Sequence, residues 1–254
     1  MSAGGSLPRI SVVIPMMNEA ENASPLIKGI CAACEGEGVA FEVVAVNDGS
    51  TDGTGAVLEG LARADPRVRV LRHAAPAGQS AAVHSGVRAA RGEIICTLDG
   101  DGQNPPDQLP KLFKPLLADD IGKLALVAGQ RVARQDTASK RWASKLANGL
   151  RARILKDGTR DTGCGLKGFR RDAFLGLPFF NHMHRYLPAL FKRDGWEIAL
   201  VDVTHAERAA GQSKYTNFGR AIVGVSDLLG VAWLIRRRKT QAPEEVKPGG
   251  GEDG

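Results

Sequence analysis

A chain of 254 residues can bury one sizeable core and still carry a tail or a small accessory element. With 43% hydrophobic and 24% charged residues it has the make-up of a folded soluble domain, which excludes a chain disordered along its whole length. The formal charge of +6 is unevenly placed: residues 240–254 are acidic, whereas residues 131–171 hold twelve Lys or Arg against three Asp. Such a basic stretch is either a solvated helix face or the mark of an anionic partner, whether nucleic acid, phosphate-bearing substrate or anionic membrane.

Apolar or β-branched runs at residues 10–14, 41–46, 68–71, 93–98 and 124–128 have the length and composition of strands. Helical patterns occupy residues 19–36, 51–65, 80–90 and 106–117 between them. Repeated strand–helix–strand units require parallel pairing with helices on both sheet faces, an α/β fold. Ligands of such sheets collect where the carboxyl ends of the strands open into loops.

Further along, residues 138–156 read as a basic helix, 161–169 as a Gly-rich loop and 198–203 as a late strand. Residues 221–235 (AIVGVSDLLGVAWLI) are apolar but interrupted by Asp227. A bilayer span takes roughly 20 apolar residues, so this segment is short for one. Arg220 precedes it and Arg236, Arg237, Arg238 and Lys239 follow, the pattern of an amphipathic helix lying in a membrane interface. A core helix is the competing reading. The expected organisation is a disordered N-terminus over 1–7, a catalytic domain over 8–215, the amphipathic helix over 216–239 and a disordered tail over 240–254.

Cys31 and Cys34 form a lone C-x-x-C inside a predicted helix, with Cys96 and Cys164 far away. No second pair and no His cluster completes a metal site, so reduced structural thiols are expected. The opening MSAGGSLPR has no signal-like apolar core, which points to a cytoplasmic protein.

Polar residues cluster where three predicted strands end. The first strand leads into Pro15, Asn18 and Glu19, the second into Asn47, Asp48, Ser50 and Asp52, and the fourth into Asp99, Asp101 and Gln103. Ser50, Thr51 and Asp52 also suit a helix N-cap. Capping does not account for Asp99 and Asp101 together, because two carboxylates two residues apart repel unless a cation lies between them. Carboxylate and amide oxygens are hard ligands, so Asp99, Asp101 and Gln103 are a candidate Mg²⁺ or Mn²⁺ set, the ion bridging to substrate phosphates. The sequence has no G-x-G-x-x-G after the first strand, no G-x-x-x-x-G-K-[ST] and no G-x-S-x-G. His182, Met183 and His184 lack a third ligand, and His182, His184 and His205 are read as structural.

Together, VVIPMMNE, VVAVNDGSTDGT and LDGDGQNPP resemble the family 2 glycosyltransferases with the GT-A fold, a Rossmann-like, mostly parallel sheet flanked by helices. GQR at 129–131, KRWASKLAN at 140–148, DTGCGLKGFRRD at 161–172 and GQSKY at 211–215 resemble its polyprenyl-phosphate branch, typified by dolichol-phosphate mannose synthase. The Q-x-x-R-W motif of the polymerising members is absent.

The resemblance implies an inverting transfer of a sugar from a nucleotide-sugar, GDP-mannose or a UDP-sugar, to a polyprenyl phosphate at the cytoplasmic membrane surface. By the same resemblance Asp48 holds the base, Pro15 and Glu19 line the nucleoside pocket, and Asp99, Asp101 and Gln103 position the metal. Lys214 and Tyr215 close over the diphosphate. A phosphate monoester, with a second pKa of about 6, needs no general base. It needs cations beside the diphosphate, for which Arg131, Arg141 and Ser144 are the candidates. Asp161 lies in the acceptor region, either orienting Arg131 or Arg141 or, for a hydroxyl acceptor, acting as base. A pI near 9.3 also fits a nucleic-acid-binding protein. Against that, the basic region lacks interleaved aromatics in a chain with two Tyr and three Trp, so no nucleic-acid partner is expected.

Overall fold

The alternation of apolar strand and helix survives in three dimensions with small shifts of boundary. The computed structural model describes residues 7–132, 149, 151, 153–204 and 217–238. In chain order these form β1 (Ile10–Met16), α1 (Ala20–Glu35), β2 (Phe41–Asp48), α2 (Thr54–Ala64), β3 (Val68–His73), α3 (Gln79–Ala89) and β4 (Ile94–Thr97). They continue with α4 (Leu109–Leu117), β5 (Leu124–Arg131), β6 (Lys167–Arg170), α5 (Arg171–Leu175), α6 (Leu187–Arg193), β7 (Glu197–Val203) and α7 (Asn217–Arg236). A short 3₁₀ turn, Pro106–Gln108, precedes α4, where consecutive prolines deny the chain regular helix.

One seven-stranded sheet runs β3-β2-β1-β4-β6-β5-β7. All neighbours pair in parallel except β6, which is antiparallel to both β4 and β5. β1 and β2 are central and almost wholly buried, as near-continuous apolar runs in a parallel sheet require. Alternate residues serve opposite faces. Ile10, Val12 and Ile14 join Phe41, Val43 and Ala45 under α1, α2 and α4, while Val13, Val44 and Val46 pack beneath α3, α5 and α6.

β6 falls where the sequence reads as a Gly-rich loop. Its four residues, KGFR, contain no apolar run, and Gly168 is there because a Cβ would overlap the backbone of Leu112 in α4. Of the expected basic helix, residues 149, 151 and 153–155 are helical, and the rest lie outside the described residues.

α7 has two faces. Val231 is buried, and Leu228, Leu234 and Ile235 pack on the core beside α6, while Val225, Leu229 and Trp233 stand exposed. Among the described residues, no helix is long and apolar enough to cross a membrane.

Candidate active site

From β1 the chain steps outward through β2 to β3 and then returns, laying β4 on the other side of β1. Crevices for ligands open at the carboxyl ends of strands at such a reversal. A cavity of about 420 Å³ lies there. It is lined by Pro15, Gln79, Leu98 and Asp99, and by Arg131, residues 161–165, Lys167, His184 and Arg185.

The first two loops beside the cavity are knitted together. Asn18 donates its amide to Ser50 Oγ (3.0 Å) and accepts the Thr51 amide on its side-chain oxygen (2.8 Å). The Glu19 amide donates to Thr54 Oγ1 at 2.8 Å, and the Ala20 amide to Asp52 Oδ2 at 3.4 Å, so the β2 loop satisfies orphan donors at the start of α1. Asp52 also accepts the Thr54 amide, the first of α2, as its capping potential suggested. Asn18 holds a left-handed φ of 58° to make these bonds. The Glu19 carboxylate accepts from Asn22 at 2.7 Å.

Asp48 is buried at the end of β2 and accepts three protein donors: His73 Nδ1 at 2.7 Å and the amides of Ala77 and Gly78, each at 2.8 Å. Burial alone would raise its carboxyl, but these bonds outweigh it and hold the group below the ordinary carboxylate value. Asp48 thereby fixes the turn that leads into α3.

Asp99 follows β4 and accepts from Gln79 Nε2 (2.7 Å) and Asn104 Nδ2 (3.2 Å). Burial, and then the nearby Asp101 carboxylate, push its carboxyl above the ordinary value. Asp101 accepts the Gln103 amide at 3.1 Å, closing a tight turn through Gly102 at a φ of 75°. At Gly165 any Cβ would overlap the Asp99 carboxyl, so glycine lets the 161–165 loop close on it. Two oxygen-bearing acids that repel one another, with Gln103 beside them, match the donor chemistry of Mg²⁺ or Mn²⁺. Among the described residues no group of three His, Cys, Asp or Glu is placed to hold a metal, so phosphate or water oxygens would complete the shell.

Opposite Asp99, Arg131 at the end of β5 is clamped by Asp161: Nε donates to Oδ2 at 2.5 Å and Nη2 to Oδ1 at 2.9 Å. Asp161 also accepts the Gly163 amide at 3.0 Å. Of the two partners left open for Asp161, the structure places Arg131 against it. Arg141, Ser144, His205, Lys214 and Tyr215 lie outside the described residues.

Sequence reasoning singled out neither Gln130 nor Lys167. Buried Gln130 accepts the amides of Arg160 (2.9 Å) and Asp161 (3.0 Å) and so anchors the loop that carries Asp161. Buried Lys167 donates to the Cys164 carbonyl, and its burial holds the ammonium below the ordinary lysine value. Both lay inside motifs quoted for the resemblance, GQR and DTGCGLKGF, but nothing local marked their side chains.

His184 lines the cavity with Nδ1 2.7 Å from Ser80 Oγ, whereas His182 Nδ1 meets Asp227 of α7 at 3.1 Å. Each ring has its own partner, so the pair is not a metal site. All four cysteines are unbridged, and burial raises every thiol, Cys34 to about 12, which leaves them protonated structural groups.

Residues 11–176 match the model of glycosyl transferase family 2. The chain belongs to that family. An undecaprenyl-phosphate 4-deoxy-4-formamido-L-arabinose transferase of Edwardsiella ictaluri is 35% identical over 216 residues, 85% of this chain and 65% of that protein. The chain thus spans somewhat less than two thirds of that relative's length. Glucosyl-3-phosphoglycerate synthase from Mycobacterium tuberculosis, solved with Mn²⁺ and uridine-diphosphate-glucose, superposes with a TM-score of 0.66 at 23% identity, covering 88% of this chain and 79% of that one. A mannosyltransferase from Pyrobaculum calidifontis, solved with GDP-Man and Mn²⁺, gives 0.63 at 20% identity, covering 94% of this chain and 66% of that one. These likenesses show the GT-A fold expected from the sequence.

Proposed function

We propose that this family 2 protein transfers a sugar from a nucleotide-sugar to a polyprenyl phosphate, with inversion, using a divalent metal. One observation carries the choice of acceptor. Asp161, the carboxylate that a hydroxyl acceptor would need as base, has both oxygens engaged by Arg131 and is not placed to take a proton. A phosphate acceptor dispenses with a base. The undecaprenyl-phosphate named for the 35%-identical relative supports the same choice.

In this reading the nucleoside lies over Pro15, Glu19 and the Asp48-anchored turn, with the diphosphate beside Asp99, Asp101 and Gln103. When bound there, Mg²⁺ or Mn²⁺ neutralises the diphosphate and stabilises the departing nucleotide. A phosphate oxygen of the acceptor attacks the anomeric carbon as the bond from that carbon to the diphosphate oxygen breaks. The electron pair leaves with the nucleoside diphosphate, and no proton moves. Asp99 and Asp101 hold the donor end, while Arg131, fixed by Asp161, balances the anionic charge gathered at the reacting centre.

The acceptor is a membrane lipid, and α7 supports delivery at the surface of the cytoplasmic leaflet. Val225, Leu229 and Trp233 form one exposed apolar stripe at helical spacing, continued by exposed Arg236, Arg237 and Arg238. The sugar and base are read most cheaply from a thermal-shift screen of GDP- and UDP-sugars with and without Mn²⁺. A ligand at 100 times its dissociation constant adds about 2.7 kcal/mol. A metal-dependent shift with one nucleotide class supports the reading, and no shift with any contradicts it.

A further inference from the structure

Among the described residues the cavity wall holds three Lys or Arg, and two of them are already engaged by the protein. Arg131 is bound bidentately by Asp161, and Lys167 donates to the Cys164 carbonyl. The third is Arg185. Its guanidinium has neither a hydrogen bond nor an ion pair with any described residue, although it lines the cavity.

The backbone that carries Arg185 is, by contrast, heavily constrained. It ends the 3₁₀ turn Met183–Arg185, which begins after His182 at a left-handed φ of 67°. A non-glycine residue held there costs energy, and such strain gathers where geometry is functional. The turn is tied to α3 through His184, whose Nδ1 lies 2.7 Å from Ser80 Oγ. It is tied to α7 through His182 and Asp227 at 3.1 Å, and through Tyr186 Oη donating to the Gly224 carbonyl at 3.2 Å. A turn fixed from two helices thus presents one unspent guanidinium. Burial, then Lys167 and Arg185 itself, hold His184 at a pKa of about 3, so the neighbouring imidazole stays neutral and Arg185 is the charge on offer.

We propose that Arg185 binds the phosphate group of the acceptor, the role the sequence pattern had given to Arg131, Arg141 and Ser144. The proposal rests on the phosphate-acceptor reading above. It favours the acceptor over the donor diphosphate for a geometric reason. Arg185 lines the same cavity as Arg131 and Lys167, and its turn is braced by the helix whose other face carries the exposed apolar stripe. A planar guanidinium offers two parallel donors to a phosphate monoester, and none has to be withdrawn from a described residue first.

The test uses the full chain with Arg185→Ala, Arg185→Gln and Arg185→Lys, a saturating nucleotide-sugar with Mn²⁺, and a short-chain polyprenyl phosphate as titrated acceptor. Losing a hydrogen bond to a charged group should raise the acceptor KM about tenfold to a hundredfold in the Ala and Gln variants, with partial recovery in Lys. Donor Kd by calorimetry should stay within about twofold, and the melting temperature should move little, because the side chain makes no hydrogen bond or ion pair with a described residue. A weakened donor Kd with an unchanged acceptor KM would assign the guanidinium to the donor diphosphate and overturn the proposal, as would wild-type values for both. If Ala unfolds, Gln and Lys still separate the two constants. Wild-type protein that transfers nothing to polyprenyl phosphate would instead remove the functional reading itself, and this assignment with it.

Discussion

On the β1–β2–β4 side of the cavity, local turns and cross-loop bonds are combined: Asp52 binds the Thr54 amide and Asp101 that of Gln103, two residues along the chain, while Asn18 reaches Ser50 and Asp48 reaches His73, Ala77 and Gly78. On the facing side two contacts span long stretches of chain. Arg131 reaches Asp161 thirty residues on, and His184 reaches Ser80 across 104 residues. The first side presents acids, the second cations. Bonds within and between the strand-end loops fix carboxylates where a metal and diphosphate belong, whereas the cations depend on β5, β6 and the turn before α6 meeting in the folded protein. Loss of Asp101, which closes its own turn, should therefore be chemical and local, and loss of Asp161 both chemical and structural.

The largest effect expected is on the acidic side. Asp101→Ala should lower kcat by about 10²–10³-fold, the scale of one preorganised electrostatic group, with the melting temperature nearly unchanged because a strand-end loop carries little packing. Chelation with EDTA should match it. Transfer at the normal rate in either case would remove the metal assignment.

Asp161→Ala addresses the other side and should cost stability as well as rate. The pair is largely buried, at 16% and 12% exposure, so leaving Arg131 without its partner should cost about 3 kcal/mol in denaturant unfolding. Unfolding that matches wild type would mean the two sides are not built differently after all.

These expectations also show what the residues alone could reveal. Strands β1 to β5, the helices between them and the Asp99/Asp101 pair were readable because each is written in adjacent residues, as apolar runs or as two acids that repel. β6 was not, because a four-residue strand of Lys, Gly, Phe and Arg acquires its place only through close packing of Gly168 on α4. Gln130, Lys167 and Arg185 escaped for the same reason, since their importance is the company they keep across the fold. The parity between core helix and interfacial helix for residues 221–235 has a physical origin too. α7 is apolar on both its buried and its exposed sides, so it has no polar face to reveal its orientation.

A smaller effect separates the anchoring acid from the metal-side acids. Asp48's carboxyl is depressed in the folded protein, so the stability it adds is complete above its unfolded value of about 3.9 and is lost as pH falls through the folded one. The stability difference between wild type and Asp48→Asn should therefore be constant at neutral pH and shrink with acidification below about pH 4. A difference that grows on acidification would mean the three bonds to Asp48 do not hold.

The smallest effect on the fold should come from α7. Replacing Val225, Leu229 and Trp233 together by Ser should leave unfolding within about 0.5 kcal/mol per site, since all three are exposed. The same variant should lose retention on anionic liposomes, which high salt should also release. Retention equal to wild type would take the membrane contact away from this stripe.

The most direct test offers labelled nucleotide-sugar together with either a polyprenyl phosphate or the matching dephosphorylated polyprenol, across a range of pH. The engaged state of Asp161 and the cationic wall of Arg131, Lys167 and Arg185 predict turnover of the phosphate alone, with no rate limb from a carboxylate base. Turnover of the alcohol near the rate of the phosphate, with a limb that Asp161→Asn abolishes, would contradict the account and make Asp161 the base.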